Sequence, residues 1–120
     1  MDEQAKVKIT SEDGITVVTF KTASISNTEE IAAISDQIKE FIDKNHPQKV
    51  LFDFGEVKFF SSLVLGLLLD TRAKLQPHSG EVVISRINPQ LHRVFKITNL
   101  DKVFSFFPDK ESAVKAANAG

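Results

Sequence analysis

The sequence predicts an α/β fold, with one mixed, mostly parallel β-sheet covered by about four helices. The expected order is β-β-α-β-α-β-α-β-α, with residues 1–120 forming one domain. Three observations predict this. The chain opens on two strand-like runs joined by Asp13-Gly14. After that hairpin, each β-branched run is separated from the next by a segment of helical spacing, and such crossovers make parallel pairs. A length of 120 residues suits one domain.

The elements follow in order. Val7-Lys8-Ile9-Thr10 alternates apolar with polar, Ser11 to Gly14 is a turn signal, and Ile15 to Phe20 is β-branched and aromatic. Thr22 to Ser26 is a loop of small residues. Asn27 followed by Glu30 reads as a capping box, and Ile31, Ile34, Ile38, Phe41 and Ile42 recur at helical spacing until Asn45-His46-Pro47. Lys49 to Phe54 has the profile of a buried strand. A second helix should run from the serines Ser61 and Ser62 to about Gln76. Glu81 to Ile87 is another strand, and Asn88-Pro89 opens a third helix with Leu91, Val94 and Phe95 as its stripe. Val103 to Phe107 is the last strand, and Pro108-Asp109 opens a helix carrying Ala113, Val114, Ala116 and Ala117.

Composition narrows the function. The chain is 42% hydrophobic and 26% charged, with a net charge of -1, which argues against bulk attraction to nucleic acid. The longest apolar run, Leu63 to Leu69, is far short of the roughly 20 residues a membrane-spanning helix needs, so no membrane insertion is expected. Met1-Asp2-Glu3-Gln4 is acidic and unlike a signal peptide, so a cytoplasmic location is expected. Cys, Trp and Tyr are absent while Phe occurs 10 times. Phenylalanine fills a core but supplies no acid, base or polar donor.

Candidates for self-contained chemistry are thin. His46, His78 and His92 have no metal-ligand spacing, so no metal site is expected. His46 and His78 should lie in exposed loops, and His92 on the polar flank of the third helix. G-x-S-x-G is missing, and the glycines at 14, 55, 66, 80 and 120 are isolated, so neither a nucleophile elbow nor a phosphate loop is present. A hydrolase or transferase joining a Ser to a distant His is the weakest reading.

Phe59-Phe60-Ser61-Ser62 stands out, between a buried strand and an unusually apolar helix. On a helical wheel Leu65, Leu68, Leu69 and Leu75 share the face expected to pack on the sheet, and Leu63 and Leu67 fall beside Asp70 and Lys74. A helix apolar on both faces is either covered twice or presents a partner-binding patch. The two serines allow one to cap the helix while the other faces solvent. An exposed hydroxyl at a helix N-terminus is a good phosphate acceptor, because the dipole favours the added charge.

Three stretches together carry a family resemblance: Lys49-Val50-Leu51-Phe52-Asp53-Phe54, then Val57-Lys58-Phe59-Phe60-Ser61-Ser62, then Leu65-Gly66-Leu67-Leu68-Leu69. They are similar to the STAS domain of bacterial anti-sigma factor antagonists, which reads roughly V-x-F-[IM]-[DS]-S-[SA]-G-L-x-x-L-L after a strand ending in D-L. The run from Ser85 to Phe104 resembles the family stretch ending in L-x-x-x-G-L-D-x-x-F, and Asp109 to Val114 resembles its closing D-x-x-x-A-[LV]. The resemblance covers essentially the whole chain.

The resemblance implies a non-enzymatic binding protein without a cofactor. Its partners would be an anti-sigma factor with Ser/Thr kinase activity and a metal-dependent Ser/Thr phosphatase. The implied phosphoacceptor is Ser62, with Ser61 as the alternative, and Asp53 is the acid supporting the site. The expected partner-binding residues are Phe60, Ser61, Ser62, Leu63, Val64, Leu67, Asp70 and Lys74, and either Phe59 or Phe60 should face the partner. Val64 stands where the family usually has Gly, and Asn99 stands where many members have Gly. STAS modules also serve as ligand-binding or scaffold parts of sensor and lipid-transport complexes, in which case Ser62 is only a cap. A monomer or weak homodimer is expected, since the N-terminal hairpin can pair edge to edge.

Overall fold

The hairpin that opens the chain shows how locally the fold is written. In the computed structural model, which describes residues 6–119, β1 (Val7–Glu12) and β2 (Ile15–Phe20) pair with Glu12 opposite Ile15. The two residues between them, Asp13 and Gly14, have φ of 53° and 82°. Paired positive φ values are what a tight hairpin matched to strand twist requires, and Asp-Gly supplies them. The acidic segment Met1-Asp2-Glu3-Gln4 lies outside the described residues, as does the side chain of Ala117.

After β3 (Ser24–Ile25), α1 spans Thr28–Asn45. The Asn27 side chain accepts from the Glu30 backbone N–H at 2.9 Å, and His46 closes the helix at φ 48°. Ile31, Ile34, Ile38 and Ile42 form its buried stripe, with Phe41 half-buried beside them. β4 (Lys49–Asp53) leads through β5 (Phe59–Phe60) into α2 (Leu63–Leu75), which ends in a 3₁₀ turn at Gln76–His78. β6 (Glu81–Ser85), α3 (Pro89–Ile97), β7 (Ser105–Phe107) and α4 (Lys110–Ala119) complete the chain.

Boundaries move where a local device intervenes. β6 stops at Ser85 rather than Ile87, because Arg86 adopts φ 57°. β7 starts two residues late, because α3 closes with Leu100 N–H on Phe95 O at 2.7 Å and Asn99 N–H on Lys96 O at 3.1 Å, with Asn99 at φ 62°. This is a Schellman closure, and Asn serves where Gly is commonest. Phe104 then packs into the core from a turn. The two-residue strands β3 and β5 escaped the sequence reading, being too short to show a period; they pair in parallel as a separate small sheet.

The main sheet has five strands in the order β1-β2-β4-β6-β7, antiparallel only at the hairpin. Alternation divides its two faces. Val18, Phe20, Val50, Phe52, Val82 and Ile84 face the larger core, together with apolar residues of α1, α2 and α3. Val17, Leu51 and Val83 face a smaller cluster containing Ala113 of α4. The apolar runs of β4 and β6 thus reflect strands covered on both sides. No described helix is long and apolar enough to cross a membrane.

Candidate functional site

The serine pair sits beyond the C-terminal edge of the sheet, on a loop anchored from several sides. Backbone bonds fasten it to the loop after β2: Lys58 N–H to Ala23 O at 2.8 Å and Ser61 N–H to Ile25 O at 2.9 Å. The Asn88 amide donates to Val57 O at 3.2 Å while its own oxygen caps α3 at the Leu91 N–H. Val57 and Phe60 are buried beneath. Phe60 joins a chain of rings, 5.8 Å from Phe54 and 6.1 Å from Phe95, which continues from Phe54 to Phe20 and from Phe95 to Phe104 and Phe106. Such edge-contacting rings hold position without polar partners.

The serines divide their roles. The Ser61 hydroxyl, half-buried, accepts from the Leu63 backbone N–H at 3.2 Å. Ser62 is exposed, and its side chain makes no capping hydrogen bond. The first turn of α2 contains no acidic residue, so the positive end of the helix dipole is not offset from within the helix.

The orientation of α2 differs from the wheel-based expectation. Leu65, Leu68 and Leu75 are buried as expected, but Leu69 is exposed at 37% and Leu67 is buried at 3%. Val64 and Thr71 also point inward. The buried arc is turned by roughly 60° from the expected one, taking about 100° per residue. The helix packs against both α1 and β6, and a sequence apolar all round cannot say which arc those neighbours cover. Thr71 satisfies its hydroxyl on Leu67 O at 2.9 Å, which lets it join the core.

The expected partner surface is therefore corrected. Phe60, Val64 and Leu67 are core residues and offer no exposed contact area. Ser62, Leu63 and Asp70 remain exposed, and Lys74 is half-buried with its ammonium 2.9 Å from Asp43 of α1. Of the two phenylalanines, Phe59 is the exposed one, at 56%. Phe59, Leu63 and Leu69 are thus the exposed apolar side chains near the serines, with Ile97 on α3 a further one. The bulk of Val64, where the family usually has Gly, is taken up in the core.

Asp53 is placed by a clamp that no local sequence signal announced. Its carboxylate is buried, and Oδ1 accepts from the Gly55 N–H at 2.8 Å and from Arg86 Nε at 3.0 Å. Arg86 lies 33 residues away, and only the β4–β6 pairing, with Asp53 opposite Ser85, brings it near. Its guanidinium lies over Gly55, where an added Cβ would fall within 2.3 Å of it. The clamp shapes the turn that leaves β4 for the serine loop. The structure shows no bond from Asp53 to either serine; what its carboxylate holds is the Gly55 backbone N–H and Arg86.

Of the three histidines, only His92 departs from expectation. His46 and His78 are exposed, yet their rings approach to 6.3 Å. His92 is half-buried, 4.4 Å from the Phe106 ring, rather than on a polar flank. Among the described residues no group of three or more His, Asp or Glu is placed to hold a metal.

Comparison with known proteins agrees with this fold. The STAS domain profile matches residues 6–113. The putative anti-sigma factor antagonist BtrV of Bordetella bronchiseptica is 26% identical over 91 residues, 76% of this chain and 75% of its own. The structure of a STAS domain anti-sigma-factor antagonist protein from Planctomyces limnophilus superposes with a TM-score of 0.85 at 24% identity, over 95% of this chain and 98% of that one. The anti-sigma factor antagonist SpoIIAA in its unphosphorylated form gives a TM-score of 0.83 at 16% identity, over 95% and 97% of the two chains. SpoIIAA of Bacillus in its phosphorylated form gives 0.72 at 18% identity, over 92% and 98%. At these structural identities the likeness is one of fold.

Proposed function

The chain belongs to the STAS domain family, and from that premise we propose that it is an anti-sigma factor antagonist switched at Ser62. In this reading residues 1–120 act as one cytoplasmic domain that binds a kinase-type anti-sigma factor and catalyses nothing itself. The kinase brings ATP and phosphorylates Ser62, and a metal-dependent Ser/Thr phosphatase removes the phosphate.

The observation that carries the reading is the exposed Ser62 hydroxyl, without a capping bond, at the start of a helix whose first turn has no acid. A phosphoryl group adds about two negative charges, which the positive end of α2 accommodates. The same charge stands next to Leu63 and close in sequence to Phe59, both exposed. Apolar surface beside a dianion becomes costly to bury against a partner, which supplies the off state. Ser61 suits the role less well, since its hydroxyl is engaged with the Leu63 N–H. The proposed contact surface is Ser62, Leu63 and Asp70, extended by Phe59 and Leu69. The names of BtrV and SpoIIAA as anti-sigma factor antagonists support the choice of partner.

The test is incubation with the kinase-type anti-sigma factor and ATP, followed by intact mass and peptide mapping. One phosphoryl group on Ser62, lost in Ser62→Ala, is expected. Ser62→Asp should weaken partner binding by about tenfold or more, with an unchanged circular dichroism spectrum. A mimic that binds as tightly as wild type, or a phosphate mapped elsewhere, refutes the reading.

A further inference from the structure

The five-stranded sheet ends on β1, a six-residue strand that among the described residues has a partner on one side only. The opposite edge, β7, has three residues. Backbone bonding shows which groups of β1 point outward. The Lys21 N–H donates to Lys6 O at 2.7 Å, and the register pairs Lys8 with Thr19, Thr10 with Val17 and Glu12 with Ile15. In an antiparallel ladder the hydrogen-bonded pairs recur every second residue, so Lys6, Lys8, Thr10 and Glu12 bond toward β2. Val7, Ile9 and Ser11 then direct their N–H and C=O groups away from the sheet.

Beside this edge lies a shallow cleft of about 280 Å³ lined by Ile9, Gln37, Glu40, Phe41 and Lys44. Ile9 and Phe41 are only half-buried there. The edge therefore offers both unpaired backbone and apolar side chains left partly uncovered on its α1 face.

We propose that β1 is the interface with a second copy of this chain, pairing antiparallel with β1 of that copy about a two-fold axis at Ile9. The charges on the strand select this occupant and this register. Centring the dyad on Ile9 pairs Val7 with Ser11 of the second copy and forms about six backbone hydrogen bonds. It also sets Lys6 opposite Glu12 of the second copy, twice, in pairs of the closely spaced kind. Lys8 falls opposite Thr10 of the second copy rather than opposite another charge. Single lysines usually guard an edge against pairing, and this register leaves Lys8 unopposed by a like charge. On the α1 face, the two Ile9 side chains meet at the dyad next to Phe41. Both charged residues already have intramolecular contacts, Lys6 with Glu30 at 3.5 Å and Glu12 with Lys110 at 3.0 Å. These contacts are partly exposed and lie on the α1 and α4 sides of the sheet, so the intermolecular pairs form by exchange with them.

The experiment is sedimentation equilibrium of the full chain from micromolar to millimolar concentration, with thermal melts to check folding. Wild type should dimerise. Ser11→Pro removes an outward N–H without touching a β1–β2 bond, so it should stay folded and lose the dimer. Lys6→Glu or Glu12→Lys alone places like charges together twice and should weaken the dimer by about tenfold. The double swap Lys6→Glu with Glu12→Lys restores opposite pairing and should regain most of that loss. A wild type that is monomeric throughout, a folded Ser11→Pro that still dimerises, or a double swap no better than either single variant overturns the proposal.

Discussion

Gly55→Ala probes the clamp on Asp53. Gly55 does not have a positive φ, so alanine brings no backbone strain of its own. What it meets is the Arg86 guanidinium, whose Cζ and Nη2 lie 2.3 Å from the position of the new Cβ. That guanidinium ends a flexible side chain 48% exposed, so it swings away rather than forcing the backbone to shift. The loss is then the Arg86–Asp53 hydrogen bond at 3.0 Å, from a carboxylate only 5% exposed. A charge-assisted bond is worth about 1.5–3 kcal/mol, and exposure of the arginine places this one near the lower end, about 1–2 kcal/mol. Gly55 N–H still serves Asp53, which keeps the carboxylate from being fully orphaned. Urea unfolding of wild type, Gly55→Ala, Arg86→Ala and the double variant measures the coupling. Gly55→Ala should cost about 1–2 kcal/mol alone and almost nothing once Arg86 is alanine. A cost unchanged in the Arg86→Ala background would show that the clamp is not what excludes a side chain at residue 55.

Two other outcomes follow from the same structure. Phe60→Ala should destabilise by about 3–5 kcal/mol in denaturant unfolding, because it empties the centre of the ring chain, whereas Phe59→Ala, at an exposed position, should stay within about 0.5 kcal/mol. Asp109 accepts from the Ser112 backbone N–H at 2.7 Å, and that bond, with the Ser112 hydroxyl, holds its carboxyl below the ordinary carboxylate value of 3.8. The folded state therefore binds this proton less readily than the unfolded chain, so the capping contribution is present above the ordinary value and fades as pH falls through the folded one. Measured against the intrinsic exchange rate at each pH, amide protection in α4 should fall over that acidic window in wild type and be already low, without that dependence, in Asp109→Ala.

What the sequence made legible was whatever acts over a few residues. Asp13-Gly14 and the Asn27 and Asn88 caps each sit where their chemistry puts them. The family resemblance was legible as well, from the spacing of three apolar stretches around Ser61 and Ser62. The facing of α2 was not, because leucines on every side leave the burial of Leu67 and the exposure of Leu69 to be decided by α1 and β6. The clamp was hidden for a different reason. Asp53 and Arg86 meet only after two parallel strands register, and no short-range pattern encodes a contact across 33 residues. Their meeting also explains why β6 ends early, since the left-handed φ at Arg86 interrupts the strand where its side chain turns back over Gly55.

The strand order of the main sheet has a consequence for how the chain is made. Read across the sheet, β1, β2, β4, β6 and β7 stand in the order in which a ribosome releases them. Domains can organise from the N-terminus while synthesis continues. Here each emerging strand of this sheet finds its neighbour already in place at the growing margin, and no earlier pairing has to open to admit it. The helix that closes the second face, α4, emerges after all five strands it helps to cover. Vectorial synthesis and final topology therefore run in the same direction.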